Sequence, residues 1–381
     1  MTSRKTLLAL GCAWLVWIWA LALASNAVWP WFSGPHGWSY DVVRRATPLA
    51  RWDSGWYIGI ADRGYGEPPR RVGEQTNHAF FPLYPFLTRL VTRGLGIETS
   101  LAGNLVSASC LLGTLVLFGG WVGRRFGPDR VLPAALALLL FPTSFFFSTV
   151  YTESLLLFLS LLSIVLLEKG RFATGLIAGY LAGLTRISGV VLAPYAFLVA
   201  WNEARARGLS PSDSIGRAAV AGAAPVAGFA TFCAYLWHRF SDPLLFVRAQ
   251  HNWSTEEKTI LDGPLLIWQT VARDVTTGKV FHASPARTLE GIYILLFLVL
   301  AVVLVWRKRY PESLFVAATA IIVLFTGTLE SAGRYVLPAF PAFAALAGLS
   351  SRRHLWIALL AASAALQAVY VFVFVHWIWA G

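Results

Sequence analysis

An acidic residue stands just outside the first long apolar run, in segment 51–57 (RWDSGWY). A second charged stretch follows at 62–65 (DRGY), so carboxylates, arginines, glycines and aromatic rings are concentrated in an otherwise mostly apolar chain. Charge held near a bilayer is costly and is usually paired or functional. This loop is therefore a candidate site for a reaction on a substrate at the membrane surface, and Asp53 is the first candidate for its catalytic residue. A structural pairing of Asp53 with Arg51 or Arg63 explains the local pattern equally well.

The composition indicates a membrane protein. Of the 381 residues, 57% are hydrophobic and 13% are charged, whereas soluble proteins carry about 25% charged residues. The net charge of +12 is typical of Lys and Arg in membrane-facing loops, and a phosphate-bearing lipid substrate also fits it. Cys12, Cys110 and Cys233 lie in apolar runs and are expected to pack as small apolar residues. The sequence has neither zinc-ligand spacing nor a nucleotide-binding phosphate loop, so no cofactor is expected.

Membrane-spanning helices must position these residues, and each needs about 20 mostly apolar residues. The sequence predicts about eleven of them: roughly 7–28, 100–123, 131–148, 153–167, 172–185, 187–201, 218–238, 288–306, 313–329, 336–350 and 355–379. The expected fold class is an all-α polytopic membrane protein, with residues 1–381 as a single integral membrane domain. A signal peptide is the alternative for the first run, but that run is longer than the roughly 7–15 apolar residues of a signal.

Basic residues in short loops predict the orientation of the chain. If the N-terminus is cytoplasmic, the short outside turns hold only Arg186 and Arg334, and the inside loops hold the other clusters: Arg124, Arg125, Arg130, Lys169, Arg171, Arg205, Arg207, Arg217, Arg307, Lys308, Arg309, Arg352 and Arg353. An odd number of spans then leaves the C-terminus outside. Two long outer loops result, roughly 29–99 and 239–287, and the Pro-broken run 79–90 in the first fits an interfacial amphipathic segment.

The unusual polar residues nearly all map to the outer side. They are Asp53, Asp62, His78, Glu153, Arg186, Gln250, His251, Glu290, Glu330 and Arg334. A secondary transporter would place such residues near the midplane in two matching halves, and a channel would place them along a pore. An enzyme that acts on a membrane-bound lipid substrate needs a polar cavity at one lipid–water boundary, and this third class fits best.

Each candidate also has a structural interpretation. The helix dipole favours Glu153 at the start of a helix. Arg186 and Arg334 would serve as snorkelling anchors. Trp52 would be an interfacial aromatic residue, and His78 would be an ordinary loop histidine.

Six blocks along the chain carry a family resemblance. They are 51–54 (RWDS) with 59–65 (GIADRGY), 79–85 (AFFPLYP), 141–144 (FPTS) through 151–154 (YTES), 185–189 (TRISG), 242–244 (DPL) with 249–253 (AQHNW), and 333–338 (GRYVLP). In this order they resemble the PIG-V-type mannosyltransferases, which add the second mannose in GPI anchor synthesis and have many bacterial relatives. The resemblance implies a GT-C glycosyltransferase fold that is active on the non-cytoplasmic face.

The resemblance also implies a mechanism. An acceptor hydroxyl attacks the anomeric carbon of a polyprenyl-phosphate-linked mannose with inversion, and Asp53 is the candidate general base. Arg186 and Arg334 are candidates to stabilise the charge of the leaving phosphate, so no divalent metal is expected. The predicted substrate-binding residues are Arg51, Trp52, Asp62, Arg63, His78, Glu153, Arg186, Gln250, His251, Arg334 and Tyr335.

The expected partners are the lipid-linked sugar donor, a glycan or glycolipid acceptor, and membrane lipids, without nucleic acid. An Ala-, Gly- and Arg-rich composition favours a bacterial plasma membrane; in a eukaryote the site would face the lumen of the endoplasmic reticulum. Two other functions remain open: a lipid-linked sugar flippase or transporter, and a catalytically inactive assembly partner.

Overall fold

A computed structural model describes residues 2–28, 47–71, 73–252, 285–324 and 331–378. These ranges contain helices, turns and loops but no β-strand. The α-helices are α1 (Arg4–Val28), α2 (Ser54–Arg63), α3 (Leu83–Leu95), α4 (Thr99–Arg125), α5 (Val131–Leu140), α6 (Glu153–Glu168), α7 (Phe172–Thr185), α8 (Leu192–Ala206), α9 (Pro211–Phe240), α10 (Leu245–His251), α11 (Pro285–Trp306), α12 (Tyr310–Leu324), α13 (Ala332–Tyr335), α14 (Phe340–Leu346) and α15 (Arg353–Val375). Short 3₁₀ segments lie at Asn77–Ala79, Pro128–Arg130, Pro142–Ser148, Ile187–Val191 and Ala347–Ser351.

The chain is an integral membrane protein, and the predicted all-α polytopic class is confirmed for the described residues. Six of their helical stretches are long and apolar enough to cross a bilayer: Arg4–Val28, Thr99–Arg125, Ile187–Ala206, Pro211–Phe240, Thr288–Trp306 and Arg353–Val375. The predicted number of eleven full spans is not confirmed, because the helices at 153–168, 172–185 and 310–324 have only 16, 14 and 15 residues. Parts of the predicted outer loops, 29–46 and 253–284, and Glu330 lie outside the described residues.

The predicted span 131–148 is not a continuous helix in the structure. Helix α5 and the 3₁₀ segment Pro142–Ser148 meet at an angle of 83°, since Pro142 has no N–H to continue the helical ladder. In an apolar surrounding the freed carbonyls need partners, and Gln367 of α15 supplies them. Its Nε2 donates to the carbonyls of Leu139 and Phe141, both at 2.9 Å. The break is therefore a stable feature of the fold, because the carbonyl groups at the end of α5 are hydrogen-bonded.

Helix α6 lies at the centre of the bundle. Its sequence, ESLLLFLSLLSIVLLE, is apolar on every side apart from three serines and one glutamate at each end, and a helix of this kind is expected to be buried on every side. It packs against α4, α7 and α8. Its sixteen residues make it about 24 Å long, so Glu153 and Glu168 mark two well-separated ends of the molecule.

The Glu168 end of α6 collects the basic loops. Arg125 lies 3.2 Å from Glu168 and 3.1 Å from Glu312, and Arg130 donates to the carbonyl of Ala347 at 2.8 Å. The loops after α4, α6, α11 and α14, which carry most of the predicted inside-loop arginines, thus meet at one end of the bundle.

At the Glu153 end, the two predicted outer loops contact each other. Helix α10 packs on Asn77–Ala79, and Asn252 accepts from Gly73 N–H at 3.1 Å and donates to the Glu74 carbonyl at 2.9 Å. The predicted interfacial run forms α3, whose Phe86 and Leu90 are exposed. This end is covered by short helices and loops rather than by full spans.

Candidate active site

The turn that carries Asp53 is held by a buried tyrosine. The hydroxyl of Tyr151 accepts from the Asp53 N–H at 3.1 Å and donates to the Arg51 carbonyl at 3.2 Å. Between them Trp52 has a φ of 54°, a left-handed conformation that is unusual for a residue with a side chain. Burial raises the pKa of Tyr151, so its hydroxyl stays protonated and able to make both bonds. Asp53 precedes α2 without capping it through its side chain.

Arg51 does not pair with Asp53. Its Nε donates to the Val375 carbonyl at 3.1 Å, and its NH1 donates to the Thr47 carbonyl at 2.9 Å. Burial lowers its pKa to about 10, which leaves the guanidinium charged at neutral pH. Arg51 therefore ties the Asp53 turn to the end of α15, and the structural Asp53–Arg51 pair that the sequence allowed is not formed.

Four charged residues at this end of the bundle are linked by ion pairs, in the order Asp53, Arg334, Glu153 and Arg186, and form a charged chain. Arg334 NH1 donates to Asp53 Oδ2 at 2.9 Å, and Arg334 Nε lies 3.3 Å from Glu153 Oε1. The same Glu153 oxygen accepts from Arg186 NH1 at 2.7 Å. The inner members are buried, with 4% of the Arg334 side chain and 1% of the Glu153 side chain exposed. The outer members are more accessible, at 14% for Asp53 and 17% for Arg186.

Aromatic rings surround the two guanidinium groups. The Arg334 guanidinium carbon lies 5.0 Å from the Tyr151 ring centroid and 5.4 Å from that of Phe146. The Arg186 guanidinium carbon lies 4.0 Å from the ring of Tyr335, whose hydroxyl accepts from Arg334 at 3.2 Å. Rings exclude water, and ion pairs are stronger in such surroundings. Arg186 and Arg334 are therefore members of a paired cluster and not surface-reaching anchors.

The local sequence explains how Arg186 reaches the cluster. Arg186 is an extended residue between α7 and the 3₁₀ segment Ile187–Val191. The chain turns back through a hydrogen bond from the Gly189 N–H to the Arg186 carbonyl at 2.9 Å. A Cβ at Gly189 would lie 2.2 Å from the Ala182 carbonyl oxygen. The Arg-x-x-Gly spacing thus reflects a close approach that only glycine permits.

Several predicted site residues lie elsewhere. Asp62 is exposed at the far end of α2, where it accepts from the Thr99 hydroxyl at 2.6 Å, and Arg63 is exposed beside it. Gln250 is exposed on α10, whereas the side chain of His251 lies outside the described atoms. These residues are not part of the four-membered chain.

His78 and Trp52 are packed against other aromatic residues. His78 is buried, with its ring 4.7 Å from Phe240 and its Nδ1 3.1 Å from the Thr76 hydroxyl. Burial lowers the pKa of His78, so the ring is neutral at physiological pH. The Trp52 ring lies 5.9 Å from that of Trp377.

Two tyrosines at the site are absent from the predicted set. Tyr151 fixes the Asp53 turn, and Tyr57 lies one helical turn after Asp53 on α2. Burial raises the pKa of Tyr57, and Arg186, Glu153 and Asp53 all act on it electrostatically. The i, i+4 spacing of Asp53 and Tyr57 indicates that Tyr57 lies near Asp53, since it places both residues on one helical face.

Part of the chain is similar in sequence to known mannosyltransferases. Residues 39–210 match the family model Mannosyltransferase (PIG-V). Over 157 residues the chain is 31% identical to GPI alpha-1,6-mannosyltransferase 2 of Rattus norvegicus and of Mus musculus; each match covers 38% of this chain and 30% of the relative. The resemblance to the PIG-V family is thereby confirmed for residues 39–210, a range that includes Asp53, Glu153 and Arg186, while the match spans less than a third of the relatives' length.

The overall shape is also similar to two solved membrane proteins. ArnT from Cupriavidus metallidurans, solved with undecaprenyl phosphate, gives a TM-score of 0.49 at 15% identity over 95% of this chain and 69% of that one. The archaeal oligosaccharyltransferase AglB from Archaeoglobus fulgidus gives 0.43 at 13% identity over 97% of this chain and 56% of that one.

Proposed function

We propose, from the match of residues 39–210 to the PIG-V mannosyltransferase family model and from the charged chain that links Asp53, Arg334, Glu153 and Arg186, that this protein is a GT-C-type mannosyltransferase. It transfers mannose from a polyprenyl-phosphate donor to an acceptor hydroxyl, with inversion, on the non-cytoplasmic face. One observation carries the proposal: the charged chain ends in an accessible carboxylate, Asp53, and an accessible guanidinium, Arg186. Glycosyl transfer from a lipid phosphate needs one group of each kind.

Asp53 acts as the general base. Its Oδ2 is held by Arg334, while Oδ1 makes no hydrogen bond to the described part of the chain. The acceptor hydroxyl donates to Oδ1 and attacks the anomeric carbon from the face opposite the phosphate. As the new C–O bond forms, the proton passes to Asp53 and the bond to the phosphate oxygen breaks. A positioned base typically contributes about 10²- to 10⁴-fold to the rate.

Arg186 binds the donor phosphate. The electron pair of the broken bond goes to a phosphate oxygen, so negative charge grows on the leaving group and needs a fixed positive partner. Guanidinium suits phosphate because its planar N–H groups pair with two oxygens. Of the two arginines predicted for this task, Arg186 is the more exposed and Arg334 is enclosed by Asp53, Glu153 and Tyr335. Arg334 therefore orients the base, and Glu153 holds both arginines in place.

The sidedness follows from the basic loops. Because Lys and Arg concentrate in cytoplasmic loops, the Glu168 end is assigned to the cytoplasm and the Asp53 end to the outer face of a bacterial plasma membrane. Helix α3, with exposed Phe86 and Leu90, lies along this outer boundary and flanks the prenyl tail.

The test is transfer by the purified chain. The protein is reconstituted in liposomes and given polyprenyl-phosphate mannose with labelled sugar, or GDP-mannose as the control donor, together with a lipid extract that supplies acceptor. The proposal predicts a labelled product from the lipid-linked donor alone, with the anomeric configuration inverted. Movement of the donor across the bilayer without any product would instead establish a flippase, and transfer from GDP-mannose would overturn the donor assignment.

A further inference from the structure

Arg334 is carried by a very short element. Helix α13 has four residues, Ala332–Tyr335, and one turn of helix has too few hydrogen bonds to be stable alone. It follows Ser331, whose φ is 69°. A guanidinium that must meet Asp53 and Glu153 at fixed distances therefore needs its backbone anchored from outside α13.

Two buried side chains from other elements provide that anchor at Gly333. The Gly333 N–H donates to a carboxylate oxygen of Glu290 in α11. The Gly333 carbonyl accepts from the Thr143 hydroxyl, in the 3₁₀ segment after the α5 break, at 2.7 Å. Glu290 is 3% exposed and Thr143 is fully buried. Both backbone polar groups of Gly333 are thus held by side chains, next to the residue that bears the guanidinium.

Gly333 also has no room for a side chain. A Cβ at this position would lie 2.6 Å from the Tyr293 ring and 2.9 Å from Thr143 Cγ2. Real Cβ atoms do not approach ring or methyl carbons this closely without displacing them. Close packing and two hydrogen bonds therefore fix the backbone at the same point.

We propose that Glu290 and Thr143 are positioning residues for the reaction. They set the backbone of α13 so that Arg334 NH1 reaches Asp53 Oδ2 while its Nε stays on Glu153. Misplacing a catalytic group by about 1 Å can reduce a rate 100-fold. The catalytic meaning of this anchor rests on the proposed function, but the geometric claim is independent of it: loss of either side chain moves Arg334 away from residue 53.

The kinetic test compares each anchor with a conservative replacement. Thr143→Val and Glu290→Ala remove a hydrogen bond, whereas Thr143→Ser and Glu290→Gln keep a donor or acceptor. We expect Thr143→Val to lower the maximal mannose transfer rate about 5-fold, as for one lost hydrogen bond, with an unchanged KM for polyprenyl-phosphate mannose because Arg186 is untouched. Thr143→Ser should restore the rate. In an Arg334→Gln background, Thr143→Val should have no further effect, because sites that act through one another are not additive.

A second measurement needs no transfer activity. Asp53→Cys is made after the three native cysteines are replaced by alanine, and alkylation by iodoacetamide is timed in detergent. A nearby guanidinium stabilises the reactive thiolate, so Thr143→Val or Glu290→Ala should slow alkylation by about 5-fold and Thr143→Ser should not. Unchanged alkylation in both disruptive variants would overturn the inference. A wild-type protein without transfer activity but with slowed alkylation in these variants would refute the proposed function alone.

Discussion

The two ends of α6 carry similar charges in different arrangements. At its last residue, Glu168 pairs with Arg125 and accepts from the Trp121 indole N–H, both at 3.2 Å. Arg125 also pairs with Glu312, which is buried. Glu168 Oε2 lies 3.7 Å from Arg124, so both oxygens of this carboxylate, which is 17% exposed, have an arginine partner. At the first residue of α6, the more accessible carboxylate is Asp53, which is 14% exposed, and only its Oδ2 is paired within the described part of the chain.

This difference separates a structural network from a catalytic one. A carboxylate with both oxygens next to arginines, such as Glu168, holds helices together and has no oxygen left to take a proton. An accessible carboxylate with one oxygen fixed and the other open can take a proton, and a separate accessible guanidinium can hold a phosphate. Matched substitutions at the two ends therefore distinguish catalytic roles from structural ones.

The largest of these contrasts concerns the two glutamates. Glu153→Gln removes the shared partner of Arg186 and Arg334, and breaking a buried pair typically costs about 3–5 kcal/mol. We expect transfer to fall by at least about 100-fold, whereas Glu168→Gln should lower the melting temperature and leave transfer per folded molecule unchanged. Thermal unfolding and the transfer rate are measured on both. An equal loss of transfer in Glu153→Gln and Glu168→Gln would contradict a catalytic role that is confined to the Asp53 end of α6.

An arginine-to-lysine pair tests phosphate binding. Arg186→Lys loses the planar donor fork and the contact with the Tyr335 ring, which an ammonium does not reproduce. The donor KM should rise about 10-fold with a smaller change in kcat. Arg125→Lys at the other end is the control and should leave the donor KM as in wild type. If the donor KM of Arg186→Lys stays at the wild-type value, Arg186 does not bind the phosphate.

Two buried tyrosines give a smaller contrast. Tyr151→Phe removes both hydrogen bonds to the Asp53 turn, and at about 0.7 kcal/mol each we expect roughly a 10-fold loss of kcat. Tyr195, stacked on Phe315 at 5.3 Å and close to Glu312 and Glu168 at the other end of α6, is the control. Tyr195→Phe should affect stability alone. A kcat loss of the same size in both variants would show that the Asp53 turn has no special dependence on Tyr151.

The smallest expected effect is a pH dependence confined to the Asp53 end. Burial lowers the folded-state pKa of His78, so below its ordinary value of about 6.5 the unfolded chain takes up the proton first. The stability from the neutral, buried ring is present above that pH and is lost as the pH falls towards the folded pKa. The melting temperature should therefore drop more between pH 7.5 and pH 5.5 in wild type than in His78→Gln. A drop of the same size in both would exclude His78 as the titrating group.

The sequence predicts the helices well, because the length of an apolar run nearly determines where a buried helix lies. The sequence pattern does not predict the break within 131–148, and the reason is physical. The break depends on Gln367, more than 200 residues later, which donates to the Leu139 and Phe141 carbonyls at the end of the helix, and hydropathy contains no such information.

The site was predictable as a set of residues but not as a set of contacts. Topology placed Asp53, Glu153, Arg186 and Arg334 on one face, and the structure brings these four together. Sequence proximity was a poor guide to the rest: Arg51 turns away to the Val375 carbonyl, and Asp62 lies at the other end of α2. The partner of Asp53 is 281 residues distant, so only the folded chain identifies it. The catalytic and substrate-binding roles of these residues stay predictions.

The most direct test is the mannose transfer rate of Asp53→Asn in the reconstituted system. The amide keeps the size of the side chain and an oxygen for Arg334, so the melting temperature and binding of polyprenyl phosphate should match those of wild type. Since the amide cannot take a proton, the account predicts a loss of transfer of at least about 100-fold. Transfer at the wild-type rate in this variant would contradict the assignment of Asp53 as the base.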